Sequence, residues 1–101
     1  MDITTELMSG ASPYLSKLYY DAIKREVVLI AVDNPEDMND VKKIVFPEIV
    51  KYSENVEDLD DELIDGIIGI HWMSKSQICI KTDIREIIIT LNGKPYSQPV
   101  M

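Results

Sequence analysis

Apolar positions in this chain come in short runs, most of them alternating with polar ones. SKLYY (16–20) and EVVLIAV (26–32) flank the five residues DAIKR (21–25). Two strand-like runs with a short polar connection predict a β-hairpin. Asp21 suits the start of the turn, because its carboxylate can accept bonds from backbone N–H groups two residues on. Further along, IDGIIGIHW (64–72) is apolar and punctuated by glycine, which predicts a buried strand. QICIKT (77–82) alternates, with Ile78, Ile80 and Thr82 on one side and Cys79 and Lys81 on the other. EIIITL (86–91) reads as the last strand. MSKS (73–76), DIR (83–85) and NGK (92–94) are the turns between and after them.

Two stretches are less uniform. In DNPEDMND (33–40), Asn34 has the character of a helix N-cap, Pro35 suits the first helical position, and Glu36 and Asp37 suit the first turn. Met38, Val41 and Val45 would then share a helical face, and Pro47 would end the helix. The other reading makes VKKIVFPEIVKYS (41–53) a strand, bent or bulged at an edge-placed Pro47. Its β-branched and aromatic content favours the strand, with at most a short helical turn over 35–40. The second stretch is ENVEDLDDELID (54–65). Val56, Leu59 and Leu63 recur at spacings of three and four, so they share one face of a helix and most carboxylates lie on the other. Asn55 is a candidate N-cap, and early acids complement the helix dipole.

These elements predict one mainly β (α+β) domain over residues 1–101. Five to six antiparallel strands and one or two short helices are expected. Residues 1–15, with Gly10 and Pro13 as breakers, read as an N-terminal arm or a short helical turn. Residues 94–101, with two prolines, read as a C-terminal tail. A length of 101 residues and 46% hydrophobic content suit a single packed core. Frequent isoleucine leans the same way, because β-branched side chains pack well on a pleated surface.

Composition narrows the setting. The opening residues lack the apolar core of a secretory signal, and no apolar run approaches the ~20 residues of a membrane-spanning helix. A cytoplasmic protein with no membrane partner is the expectation. The single cysteine, Cys79, has no partner for an intramolecular disulfide, and its apolar strand setting suits a small buried hydrophobe.

Charge changes the picture most. Net charge is −8, from 18 acids and 10 bases. Glu54, Glu57, Asp58, Asp60, Asp61, Glu62 and Asp65 supply seven of those acids. Without them 11 acids stand against 10 bases, so the acidity is local and makes a directional field.

Specific chemistries fit this chain poorly. A calcium loop starting at Asp58 would place Asp60 and Glu62 well, but Leu63 stands where the sharp turn needs glycine. One histidine and one cysteine make no zinc site without carboxylates. His71, at the end of an apolar run, suits a packed or rim position better than a base. No nucleophile elbow and no glycine-rich phosphate loop is present. Solvated carboxylates keep ordinary pKa values and make poor general acids. Scattered bases disfavour nucleic acid as a partner. Neither an enzymatic activity, a cofactor nor a metal is expected. The favoured reading is protein binding, with the seven acids facing a basic protein and Trp72, Tyr52 or Tyr19 as anchors. Against it stands a plain solvated helix face for the acids, and a core position for Trp72.

One resemblance points the same way. YYDAIKREVVL, IVFPEIVKYSE, the acidic spacer, IIGIHW and CIKTDIREIIIT follow one another in an order that resembles small immunity proteins of bacterial polymorphic toxin systems, including contact-dependent growth inhibition. The parts that carry it are Tyr20–Asp21 ahead of Arg25, Phe46 three residues before Ile49, and Thr82-Asp83-Ile84-Arg85-Glu86, within residues 16–95. It implies a cytoplasmic inhibitor of one cognate, commonly nuclease-type, toxin domain, and it carries over no functional residue. Two alternatives stay open: a phage-type acidic inhibitor that mimics nucleic acid, and a small enzyme or ligand-binding domain.

Overall fold

The first hairpin forms where the alternation puts it. β1 (Leu15–Asp21) and β2 (Glu26–Val32) are antiparallel. Asp21 Oδ1 accepts from the backbone N–H groups of Ile23 and Lys24, both at 3.0 Å. Arg25, at φ 55°, closes the turn in the left-handed region. The coordinates are those of a computed structural model, which describes residues 2–56 and 65–100.

Residues 33–40 form one turn and no helix. The cap does operate: Asn34 Oδ1 accepts from the N–H of Glu36 at 3.0 Å and of Asp37 at 2.7 Å. Met38 then takes φ 54°, which leaves the helical region, and Asp33 binds Asn39 across the loop. Those bonds from Asn39 hold the Asp33 carboxyl below its usual range. The strand reading therefore holds, as β3 (Asp40–Phe46). Local capping fixes one turn, but the apolar residues after it gain more by packing in a sheet.

Pro47 does more than bend a strand. Glu48, at φ 53°, turns the chain out of one sheet and into another, where β4 (Ile49–Val56) begins. Gly93 sits against this corner. A Cβ there would lie 2.6 Å from Glu48 Oε2 and 2.8 Å from Pro47 Cγ. The remaining strands are β5 (Ile67–Trp72), β6 (Gln77–Thr82), β7 (Arg85–Leu91) and β8 (Tyr96–Pro99). Among the described residues eight strands replace the expected five or six, for two reasons: the stretch 41–53 is two strands, and the expected tail contains β8. Its prolines are tolerated because β8 is an edge strand, paired among the described residues only to β3.

The strands make two antiparallel sheets, ordered β1-β2-β3-β8 and β4-β7-β6-β5. Leu29, Ile44 and Phe46 of the first sheet share one buried cluster with Ile70, Ile78, Ile80, Ile87 and Ile89 of the second. The molecule is thus a β-sandwich with an isoleucine-rich core. Helix α1 (Thr4–Met8) adds Leu7 and Met8 to that cluster, so part of the expected arm is structural. Lys42 Nζ donates to the Ser9 carbonyl just beyond it. No helix among the described residues is long and apolar enough to cross a membrane.

β1 crosses one end of the second sheet. At its start, Leu15 N–H donates to the Asp65 carbonyl at 2.8 Å, and Ile67 N–H to the Pro13 carbonyl at 2.8 Å. At its far end, the Tyr20 ring stacks on Tyr52 of β4, with centroids 4.7 Å apart and planes 7° from parallel. Since β5 and β4 are opposite edges of that sheet, β1 spans its width. Replacing the fully buried Phe46 with alanine tests the common core. Phe46→Ala is expected to lower unfolding free energy by about 3–5 kcal/mol in urea titrations.

Candidate functional site

The stretch 57–64, which lies between β4 and β5 along the chain, carries five of the seven clustered acids, Glu57, Asp58, Asp60, Asp61 and Glu62. Glu54 and Asp65 stand on its two sides, and both meet Arg85 at the start of β7. Arg85 Nη1 donates to Glu54 Oε1 at 2.9 Å. Arg85 Nε lies 3.3 Å from Asp65 Oδ2. The first contact is a charge-assisted hydrogen bond. The second is an ion pair at contact distance without hydrogen-bond alignment, since Arg85 Nε and both Asp65 carboxylate oxygens are buried without such a bond. The side chains are 13% exposed at Asp65, 24% at Arg85 and 29% at Glu54, so Asp65 is the most shielded of the three and Glu54 the most open to water.

Local sequence places the arginine. Thr82 Oγ1 accepts from the N–H of Ile84 at 3.3 Å and of Arg85 at 3.1 Å, which fixes the tight turn between β6 and β7. Arg85 has the same parity as Ile87 and Ile89, so it enters the sandwich from the inner face, at the end that β1 crosses. A cavity of about 120 Å³ beneath β1 is lined by Leu15, Ser16, Lys17, Leu18, Asp65 and Arg85.

Tyr52 extends the network. Burial, together with the charge of Glu54 and a hydrogen bond to it, pushes the Tyr52 phenol up to about 12 from 10.0. Tyr52 therefore packs between the Tyr20 ring and the ion-paired carboxylate and is half-buried. Tyr19, the other tyrosine expected as an anchor, is 43% exposed on the outer side of β1. Trp72 is half-buried and packs against the core. Its outer part lines a groove of about 240 Å³ with Ile3, Glu6, Leu7, Lys94 and Pro95.

Of the eight residues expected to bind a partner, the structure describes three. Glu54 and Asp65 converge on Arg85, while Trp72 lines the groove beside α1. Glu57, Asp58, Asp60, Asp61 and Glu62, and the amphipathic helix expected around them, lie outside the described residues. Arg85 as the partner of two acids was not legible. Its signal was a lone base at the edge of an isoleucine run, and only the register of Val56 opposite Arg85 brings it to Glu54.

Cys79 is buried, with its thiol pushed up by burial. His71 is exposed on β5, bridged to Asp2. Among the described residues, no three of His, Cys, Asp and Glu converge as metal ligands. No family model matches the chain, and neither a curated protein nor a solved structure matches it.

Two measurements follow from this geometry. Arg85→Met leaves the Asp65 carboxylate shielded and uncompensated, and should cost about 1–3 kcal/mol of stability. Adding Asp65→Asn should restore part of that loss; simple additivity in the double-mutant cycle would mean the ion pair contributes nothing. The tyrosine is read by pH. The folded phenol keeps its proton to about 12 while the unfolded one releases it near 10.0, so the folded state holds the extra proton between those values. That contribution is complete below pH 10 and disappears as pH rises towards 12. Tyr52→Phe should flatten this fall, and absorbance of tyrosinate at alkaline pH should lose its latest-titrating step.

Proposed function

We propose that the protein is a stoichiometric inhibitor of a basic protein, acting as a toxin-neutralising immunity protein in the cytoplasm. The observation that carries this reading is the localisation of charge. Seven acids and no base fall in residues 54–65, while the rest of the chain holds 11 acids and 10 bases. Proteins that handle nucleic acid carry positive active sites, and a compact negative surface steers them into encounter.

Two acids of the run are engaged within the fold. Glu54 and Asp65 share Arg85, so that trio carries a net −1 instead of −2. Glu57, Asp58, Asp60, Asp61 and Glu62 remain as the proposed contact surface, and Glu54, Arg85 and Asp65 anchor both sides of the segment to the second sheet. A rigid base lowers the ordering cost of binding. Trp72, with its groove beside α1, is the proposed secondary anchor. In this reading the inhibitor needs neither cofactor nor metal, and its partner is a protein, not nucleic acid or membrane.

The test uses the tagged full chain and a basic toxin domain recovered with it from the native host. Asp58, Asp60 and Asp61 are changed to Asn, and Glu62 to Gln. The association rate is expected to fall about tenfold or more and to lose most of its salt dependence. Thermal stability should stay near that of the parent. Unchanged protection and unchanged salt dependence would sink the idea.

A further inference from the structure

A sheet edge presents a row of unpaired N–H and C=O groups, and folded proteins usually blunt it. Three edges of this sandwich are blunted. β8 is four residues long, with Pro95 before it and Pro99 at its end. β5 is covered: Ile3 N–H donates to the Ile70 carbonyl at 2.8 Å, and Thr4 Oγ1 accepts from Ile70 N–H at 2.8 Å. β1 is bonded to Asp65 at its start and bulged between Leu15 and Lys17.

β4 is different. A bulge separates Ile49 from Lys51, and residues 51–56 then run in unbroken register with β7. The strand has no proline, and apart from Ile49 and Tyr52 its residues are exposed. Among the described residues, the backbone bond on its open side is that of Ile49 N–H to the Arg25 carbonyl at 2.9 Å, at its very start. Two valines on this strand, Val50 at 59% and Val56 at 43%, are exposed.

The residue order of β4 suits antiparallel pairing with itself. Centred on Ser53, such a pairing sets Tyr52 opposite Glu54 of the second copy, Lys51 opposite Asn55, and Val50 opposite Val56. Each pair joins residues of equal parity, as a two-fold axis normal to a sheet requires. The exposed valines meet twice, and no like charges face each other. We propose that β4 is a self-association edge: two copies join β4 to β4 and make one continuous eight-stranded sheet. The contact is isologous, so it closes at two chains and does not grow into a fibre.

The geometry has two physical consequences. Val56 of each copy lies opposite Val50 of the other, so the two Val56 residues sit ~20 Å apart along the pair, at ~3.3 Å per residue. The two Val56 positions therefore lie at opposite ends of the β4–β4 pair. Each chain also brings a net charge of −8, so association should strengthen as salt screens the repulsion.

Sedimentation equilibrium of the full chain tests this, over a micromolar to millimolar concentration series. A concentration-dependent two-chain mass is expected, favoured by salt. Val50→Lys combined with Val56→Lys sets like charges opposite each other twice, and should weaken association at least ~tenfold. This variant changes net charge from −8 to −6, so general repulsion would push the other way. Val50→Lys combined with Val56→Glu makes both pairs attractive and should recover the dimer. All three substitutions fall on exposed side chains, and circular dichroism verifies the fold. A single-chain mass throughout overturns the proposal, including the case where the edge amides become protected only by a different protein. So does a Lys/Lys variant that associates as tightly as the parent, or an equal loss in both variants.

Discussion

Neither sheet of this protein can bury its apolar face alone, and the structure follows from that constraint. Leu29, Ile44 and Phe46 project from one sheet, and Ile70, Ile78, Ile80, Ile87 and Ile89 from the other. Joining the two faces removes both from water at once, and apolar burial is the dominant favourable term in folding. The chain must therefore cross from the first sheet to the second. It does so in two residues at Pro47 and Glu48, where a fixed proline φ and a left-handed Glu48 break the strand. Gly93 lies close enough to that corner to exclude a side chain. Helix α1 and Ile3 complete the same cluster, which is why a segment of weak sequence pattern becomes ordered structure.

Polar groups are arranged around this core at one end, where β1 spans the second sheet. Arg85 shares the inner parity of the isoleucines, but at the last position before the turn it can reach two carboxylates. Removing a charge from water is costly unless an opposite charge accompanies it, so the buried Asp65 oxygens and Arg85 Nε need each other there, with Glu54 the more open third partner. The Tyr20–Tyr52 stack closes over the same region from the other side, and burial together with Glu54 raises the Tyr52 phenol. The consequence for recognition is a division of labour among the acids. Those on either side of the β4–β5 segment act within the fold, and those between them carry the charge available to a partner in the proposed reading.

Exposed edges add a second theme. β8, β5 and β1 each have a device against pairing; β4 has a bulge at its start and charge at Lys51 and Glu54, but among the described residues neither a proline nor a covering segment. An acidic chain disfavours its own association at low salt, so a symmetric edge contact and a strong net charge oppose each other. Which of them dominates depends on ionic strength, in the way screening predicts.

The hairpin at Asp21, the alternation of QICIKT and the strand over EIIITL were legible in the sequence, because each depends on neighbours within a few residues. Asn34 was legible as a cap, and the strand after it was legible from its β-branched residues, since the packing of Ile44 and Phe46 across the sandwich outweighs one good turn. The extra strand from the C-terminal prolines, the ordering of residues 3–8, and the meeting of Arg85 with Glu54 and Asp65 all rest on contacts across at least 20 positions. Periodicity along a chain says which face an element will bury. Which strand lies beside it, and which charge that brings within reach, is decided only when the two sheets close on each other.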